Sequence, residues 1–422
     1  MKKLQPVRGT RDVLEEEFKD FQAHLMIWNA LTMHYGFNMV DTPILEDSEV
    51  FKKTLGVTSD IIKKETYTFK DRSNNEITLR PEGTAPIIRF FINNKLQKSL
   101  PQKFSYVGPM FRYDRPQKGR FRQFNQFGVE VIGEKDIAAD IELIYFARDF
   151  VNKVGISDKS FKIYVNSLGD EVSRKKYTLE IQNFFQDHKR KLTSESLERL
   201  KKNPLRILDT KNNEEKKLLI KAPKLKDFLN TESSDIFEEF KEGCRQLKIP
   251  ITINDNLVRG LDYYSGTVFE VFDKNSTLGA LAGGGRYDTL TKAFKREDIG
   301  AAGVAGGVER IILTMQEQNI IPQVTQNRIA VLYINDEMKK VAHSITSLLR
   351  LNNIPADIDL VNRNLKKQMD NASNARFSII VGPQELENGN VVLRDMKDGK
   401  EGTISLEKLT EDPKSIFNLE TL

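Results

Sequence analysis

Polar side chains that could bind a small molecule are concentrated between residues 108 and 130 of the 422-residue chain. This segment predicts two antiparallel strands joined by a basic loop, and Arg112 ends the first strand where the loop begins. Because alternate residues of a strand share a face, Gln126, Gly128 and Glu130 lie together, and the glycine leaves room for a ligand. The segment therefore predicts the floor of a binding site.

The same segment could also bind an anion, because guanidinium groups pair well with phosphate oxygens. Its arginines are Arg112, Arg115, Arg120 and Arg122. Charge alone favours a solvated basic hairpin, which is the alternative interpretation. The polar face that carries Gln126 and Glu130 favours a phosphate-bearing ligand instead.

The residues Phe-Arg-Tyr-Asp-Arg-Pro-Gln-Lys-Gly-Arg, at positions 111–120, resemble the second signature motif of class II aminoacyl-tRNA synthetases. Their sequence is similar to that of the histidyl-tRNA synthetase family. Residues 257–266 (Leu-Val-Arg-Gly-Leu-Asp-Tyr-Tyr-Ser-Gly) resemble its histidine-binding signature, and 283–288 and 303–310 resemble two further motifs, the last being the third class II motif. The four segments occur in the family's order, and the resemblance runs from about residue 5 to the C-terminus.

The resemblance implies an α+β fold with two domains. A class II catalytic domain with an antiparallel sheet is expected over residues 1–325, with a helical insertion at about 170–250, where leucines recur at helical spacing and glycine is rare. A C-terminal α/β anticodon-binding domain is expected over 326–422. Strands and helices alternate there, which by itself predicts a separate small domain with a parallel core.

The N-terminal region resembles the first class II motif, which in the family builds the homodimer interface. Residues about 12–34 are predicted to form an amphipathic helix that ends at Gly36, on the spacing of five apolar residues: Leu14, Phe18, Phe21, Leu25 and Trp28. Residues 37–44 are predicted to form an edge strand because Pro43 cannot donate to a ladder. An ordinary helix–strand unit is the alternative.

The resemblance implies a histidine pocket made of Glu82, Gly83, Thr84, Gln126, Glu130, Tyr263 and Tyr264. The loop at 81–84 would hold the amino group together with Gln126, and Glu130 and Tyr264 would bind the ring nitrogens beside Tyr263. An amino acid without those nitrogens would leave Glu130 unpaired, which excludes it. Glu82 could instead be a charge at a helix start, and the two tyrosines could be core residues.

The resemblance implies ATP binding by Arg112, Arg120, Arg259 and Arg310. The C-terminal domain carries neither a GxGxxG fingerprint nor a GxxxxGK[ST] loop, so no phosphate-binding role is indicated there. Arg112 and Arg259 would act in catalysis at the α-phosphate, and Arg310 would stack near the adenine. Solvation of Arg310 and a turn beside Gly260 for Arg259 are the alternatives. Glycines 283–285 would by themselves mark a turn.

Two loop residues, Arg115 and Gln117, resemble the family's contacts to the acceptor end of tRNA. Loop solvation is the alternative. The stretch at 203–209 is similar to one in the family's insertion domain, which contacts the tRNA acceptor arm.

Composition narrows the remaining choices. One cysteine excludes an intramolecular disulfide and zinc sites built on several cysteines, and the four histidines show no HExxH spacing, so no metal site is predicted. Lysine and arginine total 65 against 60 acidic residues, a mild excess that is compatible with nucleic acid. No apolar leader or membrane-length run occurs, so we expect a soluble cytoplasmic protein.

Together the resemblance implies an enzyme with histidine, ATP and tRNA(His) as partners and a homodimeric assembly. It would activate histidine to histidyl-adenylate and transfer the histidyl group to the 3′-terminal ribose of the tRNA, with Mg²⁺ accompanying ATP. One alternative is a non-catalytic regulatory subunit of histidine biosynthesis with the same fold, and another is a synthetase for a different amino acid. The arginines, the tyrosine pair and the C-terminal domain favour the histidine enzyme.

Overall fold

A computed structural model describes residues 4–55, 61–259, 261, 263–274, 278–294, 299–320 and 328–417. The chain divides into two compact units, Met1–Pro322 and Gln323–Leu422. The domain boundary expected between residues 325 and 326 lies outside the described residues, as do positions 260 and 262 of the histidine-binding signature. Within the described residues, no helix combines the length and the apolar character needed to cross a membrane.

The N-terminal unit is built on an eight-stranded sheet, in the order β1-β5-β6-β11-β10-β9-β7-β8. Its strands are β1 (Asn38–Met39), β5 (Gln102–Phe111), β6 (Gln123–Ile132), β7 (Phe161–Ser167), β8 (Ile251–Ile253), β9 (Thr267–Asp273), β10 (Ala280–Arg286) and β11 (Ala301–Gly307). Neighbours are antiparallel except the two outermost pairs, β1/β5 and β7/β8, which are parallel. A smaller sheet, in the order β2-β4-β3, contains β2 (Leu45–Asp47), β3 (Tyr67–Lys70) and β4 (Glu76–Leu79).

The helices of this unit are α1 (Glu15–His34), α2 (Ser48–Leu55), α3 (Thr84–Asn93), α4 (Ala138–Lys153), α5 (Glu171–Asp187), α6 (Ser194–Lys202), α7 (Asn213–Lys221), α8 (Thr231–Gln246) and α9 (Val308–Glu317). Short 3₁₀ turns cover Leu96–Lys98, Lys189–Lys191, Pro204–Asp209, Leu225–Phe228 and Leu290–Phe294, and a π-helical turn covers Ile61–Glu65. The region from 170 to 250 is thus largely helical, as predicted. Asp170 begins it by accepting the first backbone N–H groups of α5.

The predicted hairpin is confirmed as β5 and β6, and its alternation divides the side chains between two environments. Phe127 and Val129 of β6 belong to a core that also contains Trp28 of α1 and Ile311 of α9. The intervening residues of β6 face the other side, where Glu130 lies opposite Gly303 of β11. The register of β6 therefore decides which residues reach the binding face.

The N-terminal helix and the strand after it differ in part from the prediction. Helix α1 ends at His34 and is closed by Gly36 with a positive φ, as expected, but Leu14 lies before it and is exposed, and Phe18 is also largely exposed. Packing against the core begins at Phe21, and further along the helix the ring of Trp28 contacts the rings of Phe127 and Phe150.

The edge strand predicted over 37–44 is wrong in length, because only Asn38–Met39 form β1. After Val40, whose N–H still bonds to Ser105, the chain leaves this sheet. Pro43 lies beyond that point, where its lack of an N–H costs no ladder bond.

The C-terminal unit has a five-stranded sheet in the order β13-β12-β14-β15-β16, with its own apolar core. Its elements are β12 (Ile329–Tyr333), α10 (Asp336–Leu351), β13 (Ala356–Ile358), α11 (Leu365–Asn371), β14 (Phe377–Val381), α12 (Pro383–Glu387), β15 (Asn390–Asp395), β16 (Glu401–Ser405), α13 (Leu406–Glu411) and α14 (Pro413–Phe417). The first three strands are parallel and the last two antiparallel, which confirms the predicted alternating pattern.

Candidate active site

The polar face of the eight-stranded sheet forms one wall of a cavity of about 270 Å³ in the N-terminal unit. Its other walls are the hairpin loop between β5 and β6, the turn before α3, and four residues before β9: Arg259, Leu261, Tyr263 and Tyr264. Ten lining residues come from the predicted set: Glu82, Thr84, Arg112, Arg120, Gln126, Glu130, Arg259, Tyr263, Tyr264 and Arg310. Three lining glycines, Gly283, Gly303 and Gly307, come from the motifs at 283–288 and 303–310. Four sequence-distant motifs therefore meet in one place.

Glu130 is fully buried at the floor of this cavity and accepts hydrogen bonds from three hydroxyl groups. Thr84 donates to Oε1 at 2.8 Å, Tyr106 contacts the same oxygen at 3.4 Å, and Tyr287 donates to Oε2. Burial raises the pKa of Glu130 to about 8, whereas the hydrogen bonds from Tyr287 and Thr84 act in the opposite direction. The carboxyl group is thus held in place by the protein itself.

These contacts correct two expectations about this end of the cavity. Glu130 has hydroxyl partners in the protein, so an amino acid without ring nitrogens would not leave it unpaired. The space beside Gly128 is filled by the ring of Tyr106, which a Cβ at 128 would approach to 2.4 Å. A second glycine is needed for Glu130 itself, since a Cβ at 303 would lie 1.7 Å from its Oε2.

The turn that carries Glu82 combines the two roles that the sequence left open. Its carboxylate accepts the N–H groups of Thr84 and Ala85, at 2.7 and 2.9 Å, so it caps the start of α3. Glu82 also lines the cavity, and burial raises its pKa. Gln126 braces the turn by accepting the N–H of Gly83 at 2.8 Å, which brings three of the predicted histidine-binding residues together.

The cavity is also lined by cations. Arg112, Arg120, Arg259 and Arg310 all line it, as the sequence predicted. Arg112 is braced on the carbonyl oxygen of Pro81 at 2.8 Å, and its guanidinium lies over the ring of Phe124. This brace aims a fixed charge at the cavity.

Arg310 is held by the carbonyl oxygens of Gly119 and Ala280, at 3.3 and 3.0 Å. Burial and the nearby charges of Arg120 and Arg112 lower the pKa of Arg310. The three cations therefore repel one another, and a bound anion would relieve that repulsion. Such a cluster suits a polyphosphate.

Arg259 forms an ion pair at the cavity wall with a residue that the sequence analysis did not identify. It pairs with Glu270 of β9, and its guanidinium lies 5.4 Å from the ring centre of Tyr264. Burial raises the pKa of Glu270, while the ion pair opposes that change. Gly283 permits this arrangement, because a Cβ there would lie 2.2 Å from Nη1 of Arg259. The glycine triplet is thus the interior of β10, and the interpretation as a turn is wrong.

The tyrosine pair forms the wall between Arg259 and Glu130. Tyr263 and Tyr264 are both buried, with ring centres 4.7 Å apart, and both line the cavity. The ring of Tyr287 packs edge-on against Tyr263 at 5.5 Å. The two tyrosines are therefore core residues and cavity residues at once.

Three residues of the hairpin loop do not line the cavity. Arg115 and Gln117, the predicted tRNA contacts, are exposed. Arg122, which the sequence grouped with the anion-binding arginines, lies over the ring of Tyr113 and bonds to the carbonyl oxygens of Asp114 and Arg8. Arg122 therefore stabilises the loop, because its stacking and hydrogen bonds are made within the loop and with Arg8, outside the cavity.

Sequence reasoning missed the roles of several residues, chiefly Tyr106, Glu270, Tyr287 and Glu309. Glu309 lines the cavity and accepts both the backbone and the side-chain N–H of Asn125. The motif at 283–288 contained a signal for Tyr287, because a tyrosine directly after the glycine-rich strand end could reach across the sheet.

A magnesium ion is compatible with this donor set only as a companion of ATP. The described residues contain no group of three or more metal-binding side chains. Glu270 and Glu309, however, line the same cavity as the arginines. Mg²⁺ keeps several waters and takes its remaining ligands from one or two carboxylates and substrate phosphates.

Comparison with known proteins supports the pattern of motifs. Residues 9–311 match the family described as histidyl-tRNA synthetase, and residues 328–412 match an anticodon binding domain. The histidine–tRNA ligase of Listeria innocua serovar 6a is 40% identical over 419 residues, which is 96% of this chain and 98% of that protein.

Solved structures agree in fold. The crystal structure of apo S. aureus histidyl-tRNA synthetase is 34% identical, with a TM-score of 0.79, over 97% of this chain and 99% of that one. A Bacillus halodurans C structure described as an ATP phosphoribosyltransferase regulatory subunit/histidyl-tRNA synthetase is 22% identical, with a TM-score of 0.65, over 90% and 98%. At that identity the second likeness shows the fold alone.

The burial of Glu130 predicts a dependence of stability on pH. Its folded pKa of about 8 lies above that of the unfolded chain, so the wild type loses stability as pH rises between the two values. Glu130→Gln removes this titration. Relative to wild type, the variant should gain about 3 kcal/mol of unfolding free energy between pH 5.5 and 8.5.

Urea unfolding of both proteins at the two pH values measures the difference. Glu215→Gln is the control, because Glu215 is also buried and hydrogen-bonded but its pKa is lowered. The difference in unfolding free energy between Glu215→Gln and wild type should not change between these two pH values. Parallel pH curves for wild type and Glu130→Gln would contradict the raised pKa.

Proposed function

The chain belongs to the histidyl-tRNA synthetase family, and on that premise we propose how its cavity performs the ligation of histidine to tRNA. The chain is a histidine–tRNA ligase, an aminoacyl-tRNA synthetase that uses ATP as a substrate. The observation that carries the proposed mechanism is the meeting of Glu130 and the four arginines in one cavity. The carboxyl group suits an amino acid, and the arginines suit a triphosphate.

The proposed first step is attack of the histidine carboxylate on the α-phosphorus of ATP, with pyrophosphate leaving. The nucleophile belongs to the substrate, so the protein must align the reactants and neutralise developing charge. Arg112 and Arg259 enter the cavity from different walls and would contact the α-phosphate from two sides. Arg310 and Arg120 would bind the remaining phosphates, with Arg310 near the adenine.

Histidine would lie with its ring toward Glu130 and Tyr264, beside the wall formed by Tyr263. Its ammonium group would bind Glu82 and the carbonyl oxygen of Gln126, which retains a second lone pair after accepting from Gly83. Thr84 would act mainly through Glu130, to which it donates. Selection for histidine then rests on a carboxylate that is already fixed and that gains a ring N–H as a further donor.

Mg²⁺ would supply charge neutralisation at the phosphates, with Glu270 or Glu309 as its protein ligand. The protein's own contribution is separate from this, because Arg112 and Arg310 are held by backbone carbonyl oxygens. They need no rearrangement to face the phosphates.

Binding of tRNA(His) is proposed to use both units. The C-terminal unit matches an anticodon binding domain, and Arg115 and Gln117 are exposed on the hairpin loop at the mouth of the cavity, where an acceptor end would arrive. The non-catalytic regulatory subunit is not favoured, because the chain shares 40% identity with a ligase over nearly its whole length.

A homodimer and a cytoplasmic location are further proposals. Apolar side chains are exposed together on α1 and the edge strand β1, including Phe18, Met26, Met33 and Met39. A second copy could cover them in the way that the first class II motif implies. A cytoplasmic location follows from the role in protein synthesis.

We predict that ATP/pyrophosphate exchange by the wild-type protein is supported by histidine alone. The reason is the fixed geometry of Glu130 and Tyr264 beside the arginine cluster. Exchange should be measured with each of the twenty amino acids. The Glu130→Gln variant should be measured in parallel, and its preference for histidine should be lower than that of wild type. Equal exchange with another amino acid, or none with any, would refute the assignment of the pocket.

Replacing Arg259 should slow adenylate formation more than it weakens histidine binding. Removing one electrostatic contact to a transition state costs on the order of 10²-fold in rate. Because Arg259→Ala also leaves Glu270 buried without its partner, the double variant Arg259→Gln, Glu270→Gln should be tested beside it.

Single-turnover adenylate formation is the measurement for both Arg259 variants, with histidine binding measured separately. Arg245→Ala, at an exposed ion pair with Glu242, is the matched control and should behave as wild type. An unchanged rate in both Arg259 variants would rule out a role at the α-phosphate.

Deleting the C-terminal unit near residue 326 should spare adenylate formation and reduce tRNA charging. The cavity lies wholly within the N-terminal unit, and each unit has its own core. Removal of a second contact with the tRNA lowers its effective binding. After circular dichroism has confirmed folding, both rates are compared, and unimpaired charging at limiting tRNA would contradict the anticodon role.

A further inference from the structure

Arg286, at the end of β10, is buried outside the cavity and uses all five of its N–H groups in hydrogen bonds. Nε and Nη2 both donate to Oδ2 of Asp140, the first at 3.0 Å, and Nη2 also donates to the carbonyl oxygen of Asp136 at 2.8 Å. Nη1 donates to the carbonyl oxygen of Glu134 at 2.9 Å and to Asp288 at 3.1 Å. A guanidinium with five satisfied donors has one allowed position.

This guanidinium ties the end of β10 to the turn between β6 and α4. The turn contributes two carbonyl oxygens, and the first helical residues after it contribute Asp140. Asp288 strengthens the attachment because it also accepts the N–H of Ala301 at 2.9 Å, so β11 is joined to the same point. Three segments are thereby fixed around Arg286.

The residue that this attachment holds most directly is Tyr287. Its hydroxyl donates to Oε2 of Glu130, and its N–H bonds to the carbonyl oxygen of Ala301 at 2.7 Å. The carbonyl oxygen of Arg286 accepts the N–H of Ser265 at 2.7 Å, directly after the tyrosine wall of the cavity. A displacement of Arg286 would therefore move both the hydroxyl on Glu130 and the segment that carries Tyr264.

We propose that Arg286 is a positioning residue for histidine recognition, acting by fixing the Tyr287 hydroxyl on Glu130 although it does not itself reach the cavity. This inference rests on the proposed function of Glu130. Two of the arginines that face ATP in the proposed mechanism, Arg112 and Arg310, are braced separately by the carbonyl oxygens of Pro81, Gly119 and Ala280. A change at Arg286 should therefore affect histidine much more than ATP.

The primary variant is Arg286→Lys, which keeps the charge but has three donors and cannot bind Asp140 through two nitrogens. The dissociation constant for histidine, measured by calorimetry, and the histidine KM in pyrophosphate exchange should each rise about 10-fold. The KM for ATP should stay within about twofold of wild type.

Arg148→Lys is the matched control. Arg148 lies on α4, the helix that carries Asp140, and forms a bidentate pair with Asp158 away from the cavity. It should leave both KM values unchanged. Equal losses for histidine and ATP in Arg286→Lys, or none for either, would overturn the proposal.

A double-mutant cycle separates positioning from a general loss of structure. Tyr287→Phe should raise the histidine KM, and adding Arg286→Lys to it should raise the KM by a smaller factor than Arg286→Lys does in the wild type, since both variants act on the same hydroxyl. Fully additive losses would overturn the proposal. Asp288→Asn weakens the attachment more gently and serves if Arg286→Lys does not fold, with the same expected split between histidine and ATP.

The wild-type protein measured alongside distinguishes the two levels of the argument. Exchange that does not depend on histidine would refute the proposed function. Normal histidine dependence in wild type, with an unchanged histidine KM in Arg286→Lys or Asp288→Asn, would refute only the role of Arg286.

Discussion

A carboxyl group buried beneath a binding cavity must keep hydrogen-bond partners, and the arrangement around Glu130 follows from that requirement. An unpaired carboxylate in this position would carry a large desolvation cost. Its three hydroxyl partners come from the start of α3, from β5 and from the residue after β10. Holding Glu130 therefore fixes the relative positions of segments that are distant in the chain, and Gly303 provides the space that makes this possible.

The arginines of the cavity must likewise keep hydrogen-bond partners for their charged groups. Arg112 and Arg310 donate to backbone carbonyl oxygens, so their positions are set before any anion binds. Preorganised charges of this kind need little rearrangement when phosphate charge develops. Arg259 differs, because its partner is the carboxylate of Glu270. A phosphate that approaches Arg259 must share it with that carboxylate, so this arginine can respond to the charge on the substrate.

The sequence was most informative where one segment supplied both the residues and their spacing. Alternation along β6 placed Gln126 and Glu130 on the binding face, and the four predicted arginines do line the cavity. It was least informative where strands distant in sequence become neighbours. The position of Gly303 opposite Glu130 depends on the register of β6 with β11. The contact of the Tyr287 hydroxyl with Glu130 and the packing of Tyr106 beside Gly128 also join different segments, so local sequence pattern could not predict them.

Apolar spacing failed for a related reason at the N-terminus. Phe18 and Trp28 both fit the helical stripe, yet Trp28 is buried and Phe18 is largely exposed. Periodicity identifies the face of a helix that is apolar, whereas the length of helix that is covered depends on what packs against it. Helix α1 meets the rings of Phe127 and Phe150 only along its later part.

The hairpin loop shows how partners, more than charge, decide the role of an arginine. Arg112 is braced by a carbonyl oxygen and Arg120 pairs with Asp114, and both line the cavity. Arg122, two residues after Arg120, stacks on Tyr113 and stabilises the loop instead. Arg115 is exposed. Arginines of one basic segment can therefore differ in role, because the nearest acceptor or ring directs Arg112 and Arg120 to the cavity and Arg122 to the loop itself.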